Sequence, residues 1–291
     1  MSRSSGLALY GSTAAETAAP VIRRYSDSFR LATALFPRRA RAAIAAIYAL
    51  VRIADEIVDG TAGEAGLAPA EQRARLDELE AETSRAIATG FSANLVVHAF
   101  ADVARECRIP AEPLRAFFAS MRRDLDPVDF DDAEYRGYIH GSAEAVGLMC
   151  LRVFLAGRES GAQELAVLEA GAARLGAAFQ KVNFLRDLGD DRARLGRDYF
   201  PGIGGGELDE TAKASIVADI RGDLEAARQA IPMLPRDCRL AVRVATDIFG
   251  QLLRRIERVP AARLGGVRVS VPASVKTAIA MRGALRTWVA P

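Results

Sequence analysis

The chain has 291 residues, half of them hydrophobic, which suits one large domain or two small ones with a sizeable core. Its net charge of +2 argues against a nucleic-acid binder, which would carry a concentrated basic face. The three cysteines, Cys107, Cys150 and Cys238, form no CxxC pair and indicate neither a zinc site nor a disulfide framework. Since the sequence has no signal-peptide core and no apolar run of about 18 residues, we expect a cytoplasmic protein with at most peripheral contact on the inner membrane face.

Long segments of helical periodicity and little strand-like alternation predict an all-α protein. Residues 1–19 are small and polar, so we expect a flexible N-terminal segment that precedes a single domain over residues 20–291. Proline and glycine mark the helix boundaries. The predicted helices cover about residues 20–35, 38–59, 69–89, 92–108, 112–127, 133–155, 161–188, 209–230, 236–258 and 272–288.

The first predicted helix carries hydroxyl groups beside an aromatic ring. Tyr25 and Ser28 stand next to Phe29, a combination that suits a ligand with a polar head and an apolar tail. The same residues also suit an ordinary helix surface, and the pattern alone does not separate the two interpretations.

The helix over residues 133–155 is rich in small residues around Tyr138 and Glu144. Small residues permit the close approach of another helix or of a ligand, and helix packing is the more frequent reason for them. Asp124, in an acidic patch ahead of this helix, is a further candidate for lining a polar cavity.

A first polar stripe lies on the helix over residues 38–59. At about 100° per residue, Tyr48, Arg52, Asp55 and Asp59 fall within about 60° of one another. The intervening positions are mostly apolar, and a helix that is apolar on most sides is buried. Carboxylates in such a helix lie inside the protein, where they need cations or hydrogen bonds.

A second stripe lies in the stretch FQKVNFLRDLGDDRARLGRDYFP. Here Gln180, Asn183, Asp187 and Asp191 fall within about 80° on one helix face. These amide and carboxylate oxygens form either a solvated surface or one wall of a site for hard cations. Arg186 points about 120° away from the stripe, so it either reaches a phosphate at the rim or makes a structural ion pair.

Two such helices facing each other would form an acidic cavity for magnesium ions and an anion that they bridge. Zinc and di-iron sites are disfavoured, because the stripes contain no cysteine or histidine and neither His98 nor His140 belongs to an ExxH pair. Magnesium makes diphosphate a better leaving group, and an apolar cavity would protect the carbocation that an allylic substrate leaves. Arg52, Arg186 and Arg197 are candidates for holding phosphate oxygens.

These residues resemble the squalene and phytoene synthase family, the head-to-head isoprenyl diphosphate synthases. The DxxxD motif with its preceding tyrosine and arginine occupies residues 48–59. The QxxNxxRDxxxD motif occupies residues 180–191, and GRxYxP follows at 196–201. An SxSF element lies at residues 26–29, and the similarity extends over about residues 20–285.

The resemblance implies one all-α isoprenoid synthase domain around a central cavity. It implies that Mg²⁺, or Mn²⁺ in its place, binds with diphosphate at Asp55, Asp59, Asn183, Asp187 and Asp191, whose four aspartates would be catalytic. The substrate site would be lined by Tyr25, Ser28, Phe29, Tyr48, Arg52, Tyr138, Gln180, Arg186, Arg197 and Tyr199.

The family reaction joins two prenyl diphosphates through a cyclopropylmethyl diphosphate intermediate. The main hypothesis is a phytoene synthase that acts on geranylgeranyl diphosphate without NADPH. The alternatives are a squalene or dehydrosqualene synthase acting on farnesyl diphosphate, and a catalytically silent prenyl-lipid binding or assembly protein. Tyr25 stands where some members have histidine, and Glu144, where many have glycine, places a carboxylate near the expected cavity. The missing C-terminal anchor of eukaryotic squalene synthases favours a bacterial carotenoid or hopanoid role, with a carotenoid desaturase as downstream partner.

Overall fold

The computed structural model describes the backbone of residues 6–126, 130–195, 197–201 and 208–289, without the side chains of residues 27–30, 194–195 and 286–289. Across these ranges the structure is helical and contains no strand, which confirms the predicted fold class. The helices are α1 (Gly6–Tyr25), α2 (Asp27–Ala34), α3 (Arg38–Val58), α4 (Thr61–Glu64), α5 (Pro69–Thr89), α6 (Leu95–Glu106), α7 (Ala111–Arg123), α8 (Asp132–Ile139), α9 (Ala145–Leu155), α10 (Ala162–Asp190), α11 (Glu210–Ala230), α12 (Arg236–Glu257), α13 (Ala261–Leu264) and α14 (Ala273–Val289). Two π-helical turns, His140–Glu144 and Asp191–Leu195, and a 3₁₀ turn, Ile231–Met233, complete the described secondary structure.

Two apolar clusters form most of the core. One contains buried residues of α3, α5, α6, α7 and α9, and the other contains buried residues of α10, α11 and α12. Helices α3 and α10 are apolar on several sides, as the sequence predicts for α3, and each contributes to the core along most of its length. No helix in the described ranges is long and apolar enough to cross a bilayer.

The N-terminal segment differs from its prediction. Residues 6–19 belong to α1, which begins at Gly6 instead of Pro20 and packs against α3 and α6. Ala14, Ala18 and Ile22 recur every four residues and are buried against other alanines of the α3–α6 pair. Such small side chains let helices pack closely. Without these packing contacts, a segment of small and polar residues is predicted to be flexible. Pro20 lies inside α1.

Two long predicted helices are interrupted. The helix expected over residues 20–35 breaks at Ser26, between α1 and α2. The helix expected over residues 133–155 consists of α8, the π-helical turn and α9. Asp131 caps α8, since its carboxylate accepts hydrogen bonds of 2.8 Å from the backbone N–H groups of both Ala133 and Glu134.

The π-helical turn packs directly against the backbone of α10 at Gly176. A Cβ atom at this position would collide with the carbonyl oxygen of Ala143. Backbone atoms cannot move aside as a flexible side chain does, so only glycine permits this approach. The contact fixes how the turn sits on the helix that carries the second polar stripe.

We predict that Gly176→Ala lowers the free energy of unfolding by about 2 kcal/mol, because the added methyl group overpacks a backbone contact. Urea unfolding monitored by circular dichroism measures the change. The matched control is Gly222→Ala on α11, where an added Cβ meets nothing within 4 Å. That variant should gain up to about 1 kcal/mol from helix propensity. Equal stability of Gly176→Ala and the wild type would show that the turn is free to shift.

Candidate active site

A cavity of about 670 Å³ lies between α3, α9, α10 and α12. Its lining changes character along the two helices that carry the polar stripes. On α3 and on α10, the polar lining residues lie towards the C-terminal end and most of the apolar ones lie nearer the N-terminal end. The apolar walls include Ile44, Ile47 and Val51 of α3, Val146, Cys150 and Phe154 of α9, Leu168, Leu175 and Phe179 of α10, and Phe249 and Leu252 of α12. The cavity therefore has one polar end and a long apolar body.

The two acidic stripes face each other at the polar end. Burial, with Asp59 close by, raises the pKa of Asp55 well above its usual value. Burial also raises the pKa of Asp191 to about 7, and the next causes are the charges of Asp187 and Asp59. The ends of the two helices lie close together, because the backbone N–H of Arg197 donates to the carbonyl oxygen of Asp191 at 3.2 Å while its guanidinium binds Asp59.

Arg197 ties the ends of several elements together. Its Nη1 lies 2.5 Å from Oδ1 of Asp59, and its Nη2 donates to the carbonyl oxygens of Val58 at 2.9 Å and Asp124 at 2.8 Å. The predicted phosphate ligand is thus engaged with protein groups in this structure. Its guanidinium holds the C-terminal end of α3 against the end of α7.

Tyr138 and Tyr199 are buried beside this arginine and are not among the residues that line the cavity. The Tyr138 hydroxyl donates to Asp124 at 2.8 Å, and Arg197 donates to the Tyr199 hydroxyl at 3.1 Å. The Tyr199 ring stacks on Phe184 of α10 with centroids 4.0 Å apart. Burial raises the pKa of Asp124 to about 7 against the opposing effect of Arg197. The sequence placed both tyrosines in the substrate lining, whereas here they orient Asp124 and Arg197.

Five predicted substrate residues do line the cavity, namely Tyr25, Tyr48, Arg52, Gln180 and Arg186, together with two predicted metal ligands, Asp55 and Asn183. The Tyr25 ring is about half exposed and lies 4.4 Å from the Arg52 guanidinium carbon. Arg52 also donates from Nε to Glu56 at 2.8 Å. The side chains of Ser28 and Phe29 lie outside the described residues.

Arg186 makes the ion pair that was one of its two predicted roles, and its other role, reaching a phosphate, stays a prediction. It lines the cavity, and its Nε donates to Oδ1 of Asp187 at 2.9 Å. A side chain that pairs with an acidic residue at the polar end is also positioned to turn towards an anion bound there.

Polar lining residues that the sequence did not single out include Arg268, Ser270 and Lys276 near the C-terminal end of the chain. The Nε of Arg268 lies 3.2 Å from Oδ1 of Asp187, and Lys276 belongs to α14. They follow the second motif by more than 70 residues, so no local pattern connects them with it. The one available signal was the rarity of lysine, which this arginine-rich chain uses at only three positions.

Glu144 does not occupy the cavity position that its sequence suggested. Its carboxylate lies 3.0 Å from Nδ1 of His140, the residue four positions earlier in the π-helical turn. The other ring nitrogen of His140 lies 3.4 Å from Glu112 of α7. The turn directs Glu144 towards α7, while its neighbours Ser142 and Ala143 line the cavity.

The donor set at the polar end consists of oxygen atoms and fits a hard cation. Within the described residues, no three acidic, histidine or cysteine side chains lie close enough together to hold a metal ion by themselves. Each stripe instead offers a pair of carboxylates. Burial, together with the charge of a neighbouring carboxylate, raises the pKa values of Asp55 and Asp191, so a bound cation would favour their charged forms. Such pairs suit Mg²⁺, which takes few protein ligands and completes its shell with phosphate oxygens and water.

Solved structures with the same architecture include a dehydrosqualene synthase in complex with a ligand. It aligns with a TM-score of 0.77 over 96% of this chain and 98% of its own, at 20% identity. Squalene synthase HpnC from Alicyclobacillus acidocaldarius aligns with a TM-score of 0.67 over 84% of this chain and 94% of its own, at 19% identity. The chain therefore has the isoprenoid synthase fold.

The sequence profile of the squalene/phytoene synthase family matches residues 22–202. A phytoene synthase from Arthrospira platensis is 31% identical over 257 residues, which cover 81% of each protein. Phytoene synthase 1 from Zea mays is 34% identical over 199 residues, which cover 67% of this chain and 45% of the maize protein. The chain thus spans less than half of that plant relative. The chain belongs to the squalene/phytoene synthase family.

We predict that His140 stabilises the fold only at low pH. Partial burial lowers the pKa of its imidazole, but the hydrogen bonds to Glu144 and Glu112 outweigh this and raise it overall. A raised folded-state pKa contributes stability below the unfolded value of about 6.5, and this contribution disappears as the pH rises through the folded value. His140→Gln should lower the free energy of unfolding near pH 5.5 by less than about 1 kcal/mol, since the site is partly exposed, and leave it unchanged near pH 8.5.

Urea unfolding at both pH values measures this difference. Glu144→Gln is the companion variant, since it removes the nearer carboxylate and should remove most of the pH dependence. An equal loss at both pH values would contradict the prediction.

Proposed function

We propose that this protein catalyses the magnesium-dependent, head-to-head condensation of two geranylgeranyl diphosphates to phytoene, through a cyclopropylmethyl (prephytoene) diphosphate. One observation carries the proposal: two acidic stripes meet at the polar end of a cavity whose body is apolar. This arrangement suits a substrate with a diphosphate head and a hydrocarbon tail. Membership of the family, with phytoene synthases among its relatives, supports the same reaction.

The proposed metal ligands are the oxygen atoms of Asp55, Asp59, Asn183, Asp187 and Asp191. Bound Mg²⁺ would supply charge neutralisation for the departing diphosphate. The chain's own part is to hold paired carboxylates on two rigid helices at a fixed separation, so that both diphosphate groups are presented to one reaction volume. Arg197 supports this arrangement because it anchors Asp59 at the end of α3.

Cationic side chains surround the same end of the cavity. Arg52 and Arg186 come from the two motif helices, and Arg268 and Lys276 come from the C-terminal part of the chain. Guanidinium groups bind phosphate oxygens in bidentate fashion, and an ammonium group acts as a point charge. We assign these four residues to binding the diphosphate oxygens that the metal ions leave free.

The apolar body of the cavity would receive the prenyl chains. Its walls carry aliphatic and aromatic side chains from four helices, which exclude water from the reacting carbons. Excluding water matters here because a carbocation left by diphosphate departure would otherwise be quenched to an alcohol. Loss of a proton would then give phytoene without NADPH.

Downstream contacts follow from the chemistry of the product. A C40 hydrocarbon does not dissolve in water, so we propose peripheral membrane contact and transfer to a carotenoid desaturase. Exposed Val267, Met281 and Leu285 belong to the same C-terminal part of the chain as the cavity-lining Arg268 and Lys276. Apolar side chains beside basic ones suit the surface of an anionic membrane.

We predict that Asp187→Ala lowers turnover about 100-fold or more, because it removes one of the charges that hold the diphosphate–metal complex. The stabilisation that Mg²⁺ with inorganic diphosphate gives in thermal unfolding should also disappear. The metal-free variant should remain folded, since the substitution relieves repulsion with Asp191. Glu169→Gln removes an acidic group from the same helix, where it pairs with Arg152 away from the cavity, and serves as control. Unchanged turnover of Asp187→Ala would refute the metal role.

We predict that the purified protein with Mg²⁺ converts C20 prenyl diphosphate into a C40 hydrocarbon without NADPH. Extraction and mass spectrometry of the hydrocarbons measure this, with C15 prenyl diphosphate and added NADPH as parallel arms. A C30 product would move the assignment to squalene or dehydrosqualene, which the NADPH requirement separates. No product from either substrate, with diphosphate still bound, would indicate the silent prenyl-lipid binder.

A further inference from the structure

The cavity runs alongside α10, so the rise of this helix per residue gives the depth of the cavity. Lining residues recur along this helix from Arg186 at the polar end to Leu168 at the far end. Asn183 is the proposed metal ligand of this helix that lines the cavity. From Asn183 to Leu168 the helix advances 15 residues, or about 22 Å at 1.5 Å per residue.

A prenyl chain can be compared with this depth. Each isoprene unit adds four carbon–carbon bonds of about 1.5 Å, which project to about 5 Å in an extended chain. Three units therefore reach about 15 Å below the diphosphate and four units about 20 Å. The cavity accommodates the longer chain along its full length, and a three-unit chain would leave its lower part unfilled.

Ala172 lines the cavity at the level where a three-unit chain would end. It lies 11 residues before Asn183 on α10, a distance of about 16 Å along the axis. Its side chain is a single methyl group, and the residue is only partly buried. A larger side chain here would project into the passage between the upper part of the cavity and its floor.

The helices that neighbour α10 also carry small residues at the level of Ala172. A Cβ at Gly147 of α9 would collide with the carbonyl oxygen of Ala172, so the two backbones touch there. A Cβ at Gly171 would likewise collide with the methyl group of Ala230 on α11. Below this level the cavity is closed by larger apolar side chains, among them Leu168, Ile231 and Leu234. Position 172 thus lies just above the apolar far end of the cavity, which these larger side chains line.

We propose that Ala172 is a specificity-determining residue, whose small side chain admits the fourth isoprene unit of a C20 substrate to the far end of the cavity beside Leu168. The inference rests on the proposed function and names the feature that selects the chain length. In this arrangement α10 sets both the diphosphate position and the depth, so a substitution at residue 172 changes chain length without altering the metal ligands.

The test is a competition assay in which the enzyme with Mg²⁺ receives equal amounts of C15 and C20 prenyl diphosphates, and the C30, C35 and C40 hydrocarbons are quantified. We expect Ala172→Leu to lower the ratio of C20 to C15 use by at least about tenfold, since fit in an apolar pocket discriminates by that order. Ala172→Val, a smaller change, should shift the ratio in the same direction by less. If the leucine variant does not fold, the product ratio of Ala172→Val tests the proposal.

The matched control is Ala170→Leu, the same substitution on the exposed face of α10 two residues earlier. It should leave the product ratio unchanged. An active wild type whose product ratio does not move in either Ala172 variant overturns this inference and leaves the proposed function intact. A wild type that prefers the C15 substrate also overturns it. A wild type that yields no hydrocarbon from either substrate overturns the proposed function, and this inference with it.

Discussion

The repulsion among carboxylates at the polar end of the cavity is the constraint on which this structure depends. Asp55 and Asp59 terminate α3, and Asp187 and Asp191 terminate α10, where the helix dipoles are themselves negative. Two such charges about 4 Å apart repel by about 4 kcal/mol at an effective dielectric constant of 20. Holding these carboxylates close together lowers the free energy of unfolding. Such a local cost is expected at a site that binds a cation together with an anion.

The layer behind the carboxylates holds them in place. Arg197 binds Asp59 and two backbone carbonyl groups, and Tyr138 and Tyr199 bind Asp124 beside it. Tyr138, Tyr199 and Asp124 are buried and Arg197 is largely so, which strengthens their hydrogen bonds and narrowly defines their positions. The layer connects α3, α7, α8 and the segment after α10, which are distant in sequence. It has the role of supporting residues that orient a site without forming its surface.

One face of α10 lines both the polar end and the apolar body of the cavity. On α10, residues spaced by three or four positions are polar near its C-terminal end and apolar towards its N-terminal end, and all of them face the same cavity. The distance between the head group and the end of the tail is therefore fixed by the rise of a single rigid helix. Ridges of small residues, such as Gly176 and Ala172, bring the neighbouring backbones close and determine the width at each level.

The sequence by itself determined the helices, the two polar stripes and the family, because helical periodicity and motif spacing are local properties of the chain. Only the tertiary structure decided that residues 6–19 are helical, since their alanines are stabilised by packing against α3 and α6. It also directed Glu144 to His140 and brought Arg268 and Lys276 to the cavity. These outcomes depend on contacts between segments far apart in the chain. The periodicity of either segment alone does not indicate the free energy of such contacts.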